Sequence, residues 1–317
     1  MLGNTMKEIV NNIEIRVVGQ MRNGNHAIID WIRGLYPNRS VCFLNNIRHG
    51  NSDPFKAFAQ IETYNIDKQS DIEALRNTKK DILIYSYEDN DTLEAAGIDI
   101  IRSVFDKAFE KNREYYLGKS KHHFDILIIR DPFNSFASRL TLLRKRGGDG
   151  AGGLTNLQTI KENWKAIAKK VVQIEEKGDG GMMVINYNKW ISDETYSKSL
   201  SRRLMGSYWK KSLDDIAPYG GGSSFDHSNI KKLRVRDLFL KWYKLLSMRR
   251  LLHAKSNFKR FFIRPKTPHE FLTRWRAMAY DKEFRGLFED RDIFELSEAI
   301  FGEIPDTRGM LMPPCIE

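Results

Sequence analysis

The stretch Ile13-Glu-Ile-Arg-Val-Val-Gly-Gln-Met-Arg-Asn-Gly-Asn-His-Ala-Ile-Ile-Asp-Trp-Ile-Arg33 decides the fold. Ile13 to Val18 alternates apolar and polar, then runs apolar into Gly19, the pattern of a strand entering a buried parallel sheet. Gln20 to Asn25 is polar and glycine-edged, and Ala27, Ile28, Trp31 and Ile32 recur behind it at helical spacing. The segment therefore reads as strand, loop and helix. A helix leaving such a loop points unpaired backbone N–H groups and the positive end of its dipole into the loop, which favours phosphate or sulfate there.

Gly19-x-x-x-x-Gly24 has the spacing of a Walker A loop, but Asn25-His26 stands where a nucleotide triphosphatase needs Lys and Ser or Thr. Without that lysine and that metal-binding hydroxyl, ordinary ATP or GTP hydrolysis lacks two of its parts. Arg22 remains, a cation inside the turn itself. That arrangement suits a ligand with one phosphate group at the loop and no obligatory metal.

Working outward, 317 residues with 41% hydrophobic content are ample for a large core, and no break in composition divides them. No apolar run reaches the roughly 18 residues of a membrane span, and Met1 to Asn12 is too polar for a secretory signal. A soluble, cytoplasmic protein is expected. Cys42 and Cys315 are the two cysteines, far apart in sequence, so neither a disulfide framework nor a zinc site is indicated. The net charge of +11 has a local source: twelve Lys or Arg lie between Lys231 and Arg264 against Asp237 alone, leaving 40 basic and 40 acidic residues elsewhere. One cationic face is implied, for an acidic substrate, a membrane surface or nucleic acid. Leucines and aromatics interleave with these cations, so the stretch reads as a helical subdomain packed on the core or as a surface-binding helix.

Three further strands are readable. Ser40 to Asn45 is a short one, followed by a polar region with Arg48, His49 and Asp53, and Asp71 to Asn77 reads as a short helix. Asp81-Ile-Leu-Ile-Tyr-Ser-Tyr-Glu-Asp-Asn90 is apolar at its start and polar at its end, as expected of a parallel strand whose carboxyl end approaches solvent. Ligands in open α/β sheets bind outside those ends. Glu88 and Asp89 are therefore either caps of the next turn or one of them is a catalytic carboxylate. Residues 98–117 are helical in pattern. Phe124-Asp-Ile-Leu-Ile-Ile-Arg-Asp-Pro-Phe-Asn-Ser-Phe-Ala-Ser-Arg139 runs from strand into helix, with Asp131-Pro132 at the helix start. Arg130 at the strand end and Ser138 on the helix can converge on one phosphate, the arginine as a fork and the serine as a single donor. His122-His123 reads as a solvated turn before that strand. Gly147 to Gly153 reads as a loop near the acceptor site or a plain flexible linker.

Arg130-Asp-Pro-Phe-Asn-Ser-Phe-Ala-Ser-Arg139 resembles the 3′-phosphate-binding segment of sulfotransferases that use 3′-phosphoadenosine 5′-phosphosulfate (PAPS), and Gly19 to Ala27 is similar to their 5′-phosphosulfate loop. On that resemblance Arg22, Asn23, Gly24, Asn25 and His26 would hold the 5′ end of the nucleotide and Arg130 and Ser138 its 3′-phosphate. Gly181-Met-Met-Val-Ile-Asn-Tyr-Asn-Lys-Trp190, with a helix over Ser192 to Leu204, resembles the family's later strand and its Tyr-Glu-Asp end, which marks Tyr187. Gly220-Gly-Gly-Ser-Ser-Phe-Asp226 resembles the segment that wraps adenine, implying Ser223, Ser224 and Phe225. Phe271-Leu-Thr-Arg-Trp-Arg276, ahead of a helical stretch to Phe301, is similar to the Gly-Arg-Trp segment of many bacterial members and makes Arg274 a second grip on the 3′-phosphate. The chain departs from the family at Asn25-His26, which replaces a threonine pair, and at Ala27, which replaces an aromatic. The Arg-Lys-Gly segment of the cytosolic enzymes is absent.

The resemblance implies a P-loop-like α/β unit over residues 1–317. It has a central mostly parallel sheet of about five strands, helices on both faces and a basic helical insertion at 231–268. It also implies transfer of the sulfuryl group from PAPS, with no metal required, to a hydroxyl or amine of an acceptor such as a carbohydrate. Arg22 would stabilise the leaving group and Glu88 would be the base, with His49 and His26 as the next candidates. Two other classes stay open: a small-molecule kinase of the same loop class, and a non-catalytic protein that binds 3′-phosphoadenosine 5′-phosphate (PAP) and docks on acidic surfaces.

Overall fold

The computed structural model describes residues 8–45, 62–64, 77–88, 113–115, 117–145, 157–177, 181–212 and 267–302. Strand β1 (Ile9–Gly19) is central. It pairs in parallel with β4 (Lys80–Glu88) on one side and β5 (Lys119–Ile129) on the other. β2 (Val41–Asn45) extends the sheet beyond β4 and β6 (Met182–Asn186) beyond β5, both in parallel. The short β3 (Glu62–Tyr64) joins the β2 edge in antiparallel sense, giving the order β3-β2-β4-β1-β5-β6. The chain is thus α/β with a mostly parallel sheet, as the apolar runs predict. β3 is the addition, too short to carry a period of its own.

Both faces of the sheet are covered, which is why its strands are apolar on both sides. Ile13, Ile15, Val17, Ile82, Ile84, Ile126 and Ile128 pack under α1 (Asn25–Gly34) and α5 (Glu194–Arg203). Val18, Leu83, Tyr85, Leu127 and Ile129 pack under α2 (Pro132–Lys145), α3 (Leu157–Lys177) and α8 (Arg291–Phe301).

Several expected boundaries shift for local reasons. The helix read over Ser192 to Leu204 is α5, which starts at Glu194 because Asp193 turns extended and caps it, accepting from Thr195 N at 2.8 Å and Tyr196 N at 3.1 Å; a separate short helix, α4 (Tyr187–Ser192), precedes it. The helical stretch read from beyond Arg276 to Phe301 is broken into α7 (Lys282–Gly286) and α8, with Asp281 and Asp290 as caps, and α6 (Pro268–Leu272) and a 3-10 turn (Arg274–Met278) precede it.

His122-His123 is not a turn: both residues lie inside β5, which starts five residues before Phe124. Register sets Glu14 opposite His123 and Arg16 opposite Asp125, so polar side chains fill one face of the sheet near its amino-terminal end. Arg16 Nε donates to Asp125 Oδ1 at 2.7 Å, His123 Nε2 lies 3.1 Å from the same oxygen, and Tyr85 donates to the buried Glu14 at 2.7 Å. Each polar group is met by another, which removes the penalty that would otherwise keep them out of a strand. Burial pushes the Asp125 carboxyl up, but hydrogen bonds and charge from His123 and Arg16 together outweigh it and hold it at about 2.

Of the helix expected over 98–117, Arg113 to Tyr115 and Leu117 are described and are helical. Of the one expected over Asp71 to Asn77, Asn77 is described and is helical. Residues 71–76, the loop Gly147 to Gly153, the adenine segment and the basic stretch 231–264 lie outside the described residues. Among the described residues no helix is long and apolar enough to cross a membrane.

Candidate functional site

The carboxyl ends of β2, β4, β1, β5 and β6 converge at one rim of the sheet. Connections leave β1 toward β2 on one side while β5 and β6 lie on the other, so the β1 loop sits at the switch point where open α/β sheets bind ligands. The loop Gln20–Gly24 is tight: Asn23 N donates to Gln20 O at 3.1 Å, and Gln20 Nε2 ties the turn to Ile160 O of α3 at 2.8 Å. Arg22 at φ 74 and Gly24 at φ 89 are both left-handed, with Asn23 between them at negative φ. Such alternation turns successive N–H groups toward one side, a backbone concavity suited to an anion. α1 begins at once behind it, and its first N–H groups have no partner within the helix.

From the β5 side Arg130 reaches over the loop. Its Nη1 donates to Arg22 O at 3.2 Å, bracing a left-handed arginine that costs backbone energy, and its guanidinium lies 4.7 Å from the centroid of the Tyr187 ring. The Arg130 carbonyl accepts from the buried Trp164 indole at 2.9 Å. Behind Arg130, Asp131 Oδ1 caps α2 by accepting from Asn134 N at 2.8 Å, the start that Asp131-Pro132 predicts. Two serines of α2 then face the loop. Ser135 Oγ donates to Asn23 Oδ1 at 2.8 Å, and Ser138 Oγ lies 3.4 Å from Arg22 Nε. Arg22, Asn23, Arg130 and Ser138 are therefore brought together. Tyr187 is buried beneath them, its ring filling the space in front of Gly24.

On the β4 side, Glu88 is paired in register with Gly19 and is 7% exposed. Its Oε1 accepts from Asn25 Nδ2 at 2.9 Å. Next to this pair, His26 Nε2 lies 3.0 Å from Asn45 Oδ1, which also accepts from Ser86 Oγ at 3.3 Å. With Oδ1 accepting from the serine, the histidine contact is satisfied by a proton on Nε2. Asn45 and Ser86 were not singled out from the sequence. Asn45 carries the same signal as Glu88, a polar residue closing an apolar run, while Ser86 carries none.

Arg274 stands on the 3-10 turn that Asn134 fastens to the start of α2, through Asn134 Nδ2 to Leu272 O at 2.6 Å and Trp275 N to Asn134 Oδ1 at 3.3 Å. Its guanidinium packs on Phe271, 4.4 Å from the ring centroid. His49, Asp89, Ser223, Ser224 and Phe225 lie outside the described residues.

The residues at this rim fit an anionic ligand. Asn23 Nδ2 and Arg130 Nε are buried donors with no hydrogen-bond partner among the described residues. A buried donor left unpaired costs about 1–3 kcal/mol, and these two, one in the left-handed loop and one reaching over it, favour acceptor oxygens there, beside the acceptors Gln20 Oε1 and Asn25 Oδ1, likewise unpaired among the described residues.

No family model and no curated protein matches the chain. Among solved structures it is similar to mouse sulfotransferase SULT7A1 complexed with PAP, at 14% identity and a TM-score of 0.37, over 62% of this chain and 59% of that one. The match thus spans less than two thirds of the mouse chain. It is also similar to the sulfotransferase domain from the Synechococcus PCC 7002 olefin synthase, at 12% identity and a TM-score of 0.44, over 94% of this chain and 98% of that one.

Proposed function

We propose that the chain is a PAPS-dependent sulfotransferase, moving a sulfuryl group to a hydroxyl or amine of an acceptor, with carbohydrates the first class to try. The observation that carries this is the pair of unpartnered buried donors, Arg130 Nε and Asn23 Nδ2, beside a left-handed loop and a helix start. Their chemistry suits a phosphorylated ligand, and the resemblance of Arg130 to Arg139 to a 3′-phosphate-binding segment supports PAPS as that ligand. PAPS would supply the sulfuryl group. Arg130, Ser138 and Arg274 are assigned to its 3′-phosphate, Arg22, Asn23, Gly24 and the N–H groups of Asn25 and His26 to its 5′ end, and Ser223, Ser224 and Phe225 to adenine.

The chain's own residues then have two tasks. Arg22 and the loop N–H groups stabilise the charge that builds on the phosphate oxygen as its bond to sulfur breaks. Glu88 takes the acceptor's proton as the new oxygen–sulfur or nitrogen–sulfur bond forms, so proton, sulfuryl group and leaving charge are all accounted for. His26 and His49 are the alternative bases. A kinase of this loop class would place a lysine and a hydroxyl at positions 25 and 26; Asn25 instead commits its amide to Glu88 and His26 its ring to Asn45. The cationic stretch 231–264 is assigned to acidic acceptors or an acidic surface, and the setting to the cytoplasm. The test is a panel of hydroxyl and amine acceptors incubated with PAPS and read by mass spectrometry for products heavier by one sulfuryl group. Transfer by the wild type, slowed at least about a hundredfold by Glu88→Gln, is the expected result. Phosphoryl transfer from ATP in place of it would replace the assignment with a kinase.

A further inference from the structure

Asn25 joins the loop to the carboxylate. Its Nδ2 lies 2.9 Å from Glu88 Oε1, 3.2 Å from Gln20 O and 3.3 Å from Gly19 O, while its Oδ1 has no partner among the described residues. The amide can face only this way, since turning it over would set Oδ1 against three acceptor oxygens. The side chain is 3% exposed, and it fits because residue 19 is glycine: a Cβ there would stand 2.4 Å from Asn25 Oδ1. The same backbone position is the register partner of Glu88. A single amide thus grips the two carbonyls that open the loop and the carboxylate on the neighbouring strand. Among the described residues no hydrogen bond occupies Glu88 Oε2.

We infer that Asn25 is a positioning residue for Glu88: it fixes the carboxylate by Oε1 and leaves Oε2 to take the acceptor's proton. This rests on the sulfuryl-transfer assignment above. A misplacement of about 1 Å in a reacting group can cost about a hundredfold, so freeing the carboxylate slows the step that uses it at least about tenfold. A residue that only braced the loop would act the same whether or not Glu88 were present.

The experiment is a double-mutant cycle on PAPS with water as acceptor, read as inorganic sulfate released, alongside calorimetric titration with PAP. The expected result is that Asn25→Ala, at saturating PAPS, slows release at least about tenfold and that in the Glu88→Gln background it slows release less than about twofold further. Asn25→Ser, which removes the amide without adding a charge, gives the same pattern if the alanine variant does not fold. Equal effects in both backgrounds, an unchanged rate, or a wild type that binds PAP and releases no sulfate each overturn the inference. A wild type that fails to bind PAP overturns the sulfotransferase assignment itself, so the two failures are distinguishable.

Discussion

The guanidinium of Arg130 lies over the ring of Tyr187, 4.7 Å from its centroid, and that ring stands where a Cβ on Gly24 would have to go, 2.3 Å from Tyr187 Cε2. Loop, arginine and ring are one packed unit, although they come from three separate segments of the chain.

Gly24→Ala breaks this unit in two ways. It forces a side chain into φ 89 and drives its methyl into a buried ring. Left-handed strain and overpacking together cost about 2–4 kcal/mol. Denaturant unfolding of the variant is expected to show that loss, with PAP affinity falling as well; wild-type stability in Gly24→Ala would contradict the packing.

Tyr187 separates two roles. If its ring face holds Arg130, Tyr187→Phe binds PAP within about threefold of wild type, because phenylalanine keeps the face. Tyr187→Ala removes roughly 0.5–2 kcal/mol of cation–π support and weakens PAP about 2- to 30-fold. A phenylalanine variant as impaired as the alanine one would mean that the hydroxyl itself contacts the nucleotide.

How far these relationships were readable depends on their range along the chain. Ile13 to Arg33 betrays strand, loop and helix because its periodicity changes within the segment, and Arg130 and Ser138 are eight residues apart on one strand-to-helix turn. The Asn25 to Glu88 bond spans 63 residues and the Ser135 to Asn23 bond 112, so no local pattern encodes either. Polarity misleads at His123 for the same reason: Glu14, the acid its ring approaches, stands on another strand. The break at Asp193 was within reach, since Asp followed by Glu in the next position is a common helix start.

Asp125 sets an acid limit on stability. Its carboxyl is held at about 2 in the fold, below the roughly 3.9 of an unfolded chain. The charged form therefore favours the folded state: its contribution is fully present above about pH 4 and is lost as pH falls through about 2. At neutral pH that is about 2 kcal/mol. Urea unfolding across this range is expected to show a steeper loss of stability in the wild type than in Asp125→Asn. Parallel curves would contradict the pairing with Arg16 and His123.

Burial raises the Cys42 thiol to about 12, with nearby Lys80 opposing the shift only in part. Little thiolate forms at neutral pH. Peptide mapping after brief alkylation is expected to find Cys42 modified in denaturant and unmodified in buffer. Rapid labelling of the native protein at Cys42 would contradict its place in the core.

The most direct measurement is calorimetric titration of the purified protein with PAP, beside ADP and ATP with Mg²⁺, in the wild type and in Arg130→Ala. The account predicts that PAP binds in preference to both and that Arg130→Ala loses it by at least about tenfold, the worth of a charge-assisted bond to phosphate. Indifference of PAP binding to Arg130, or a preference for ATP with Mg²⁺, would contradict it.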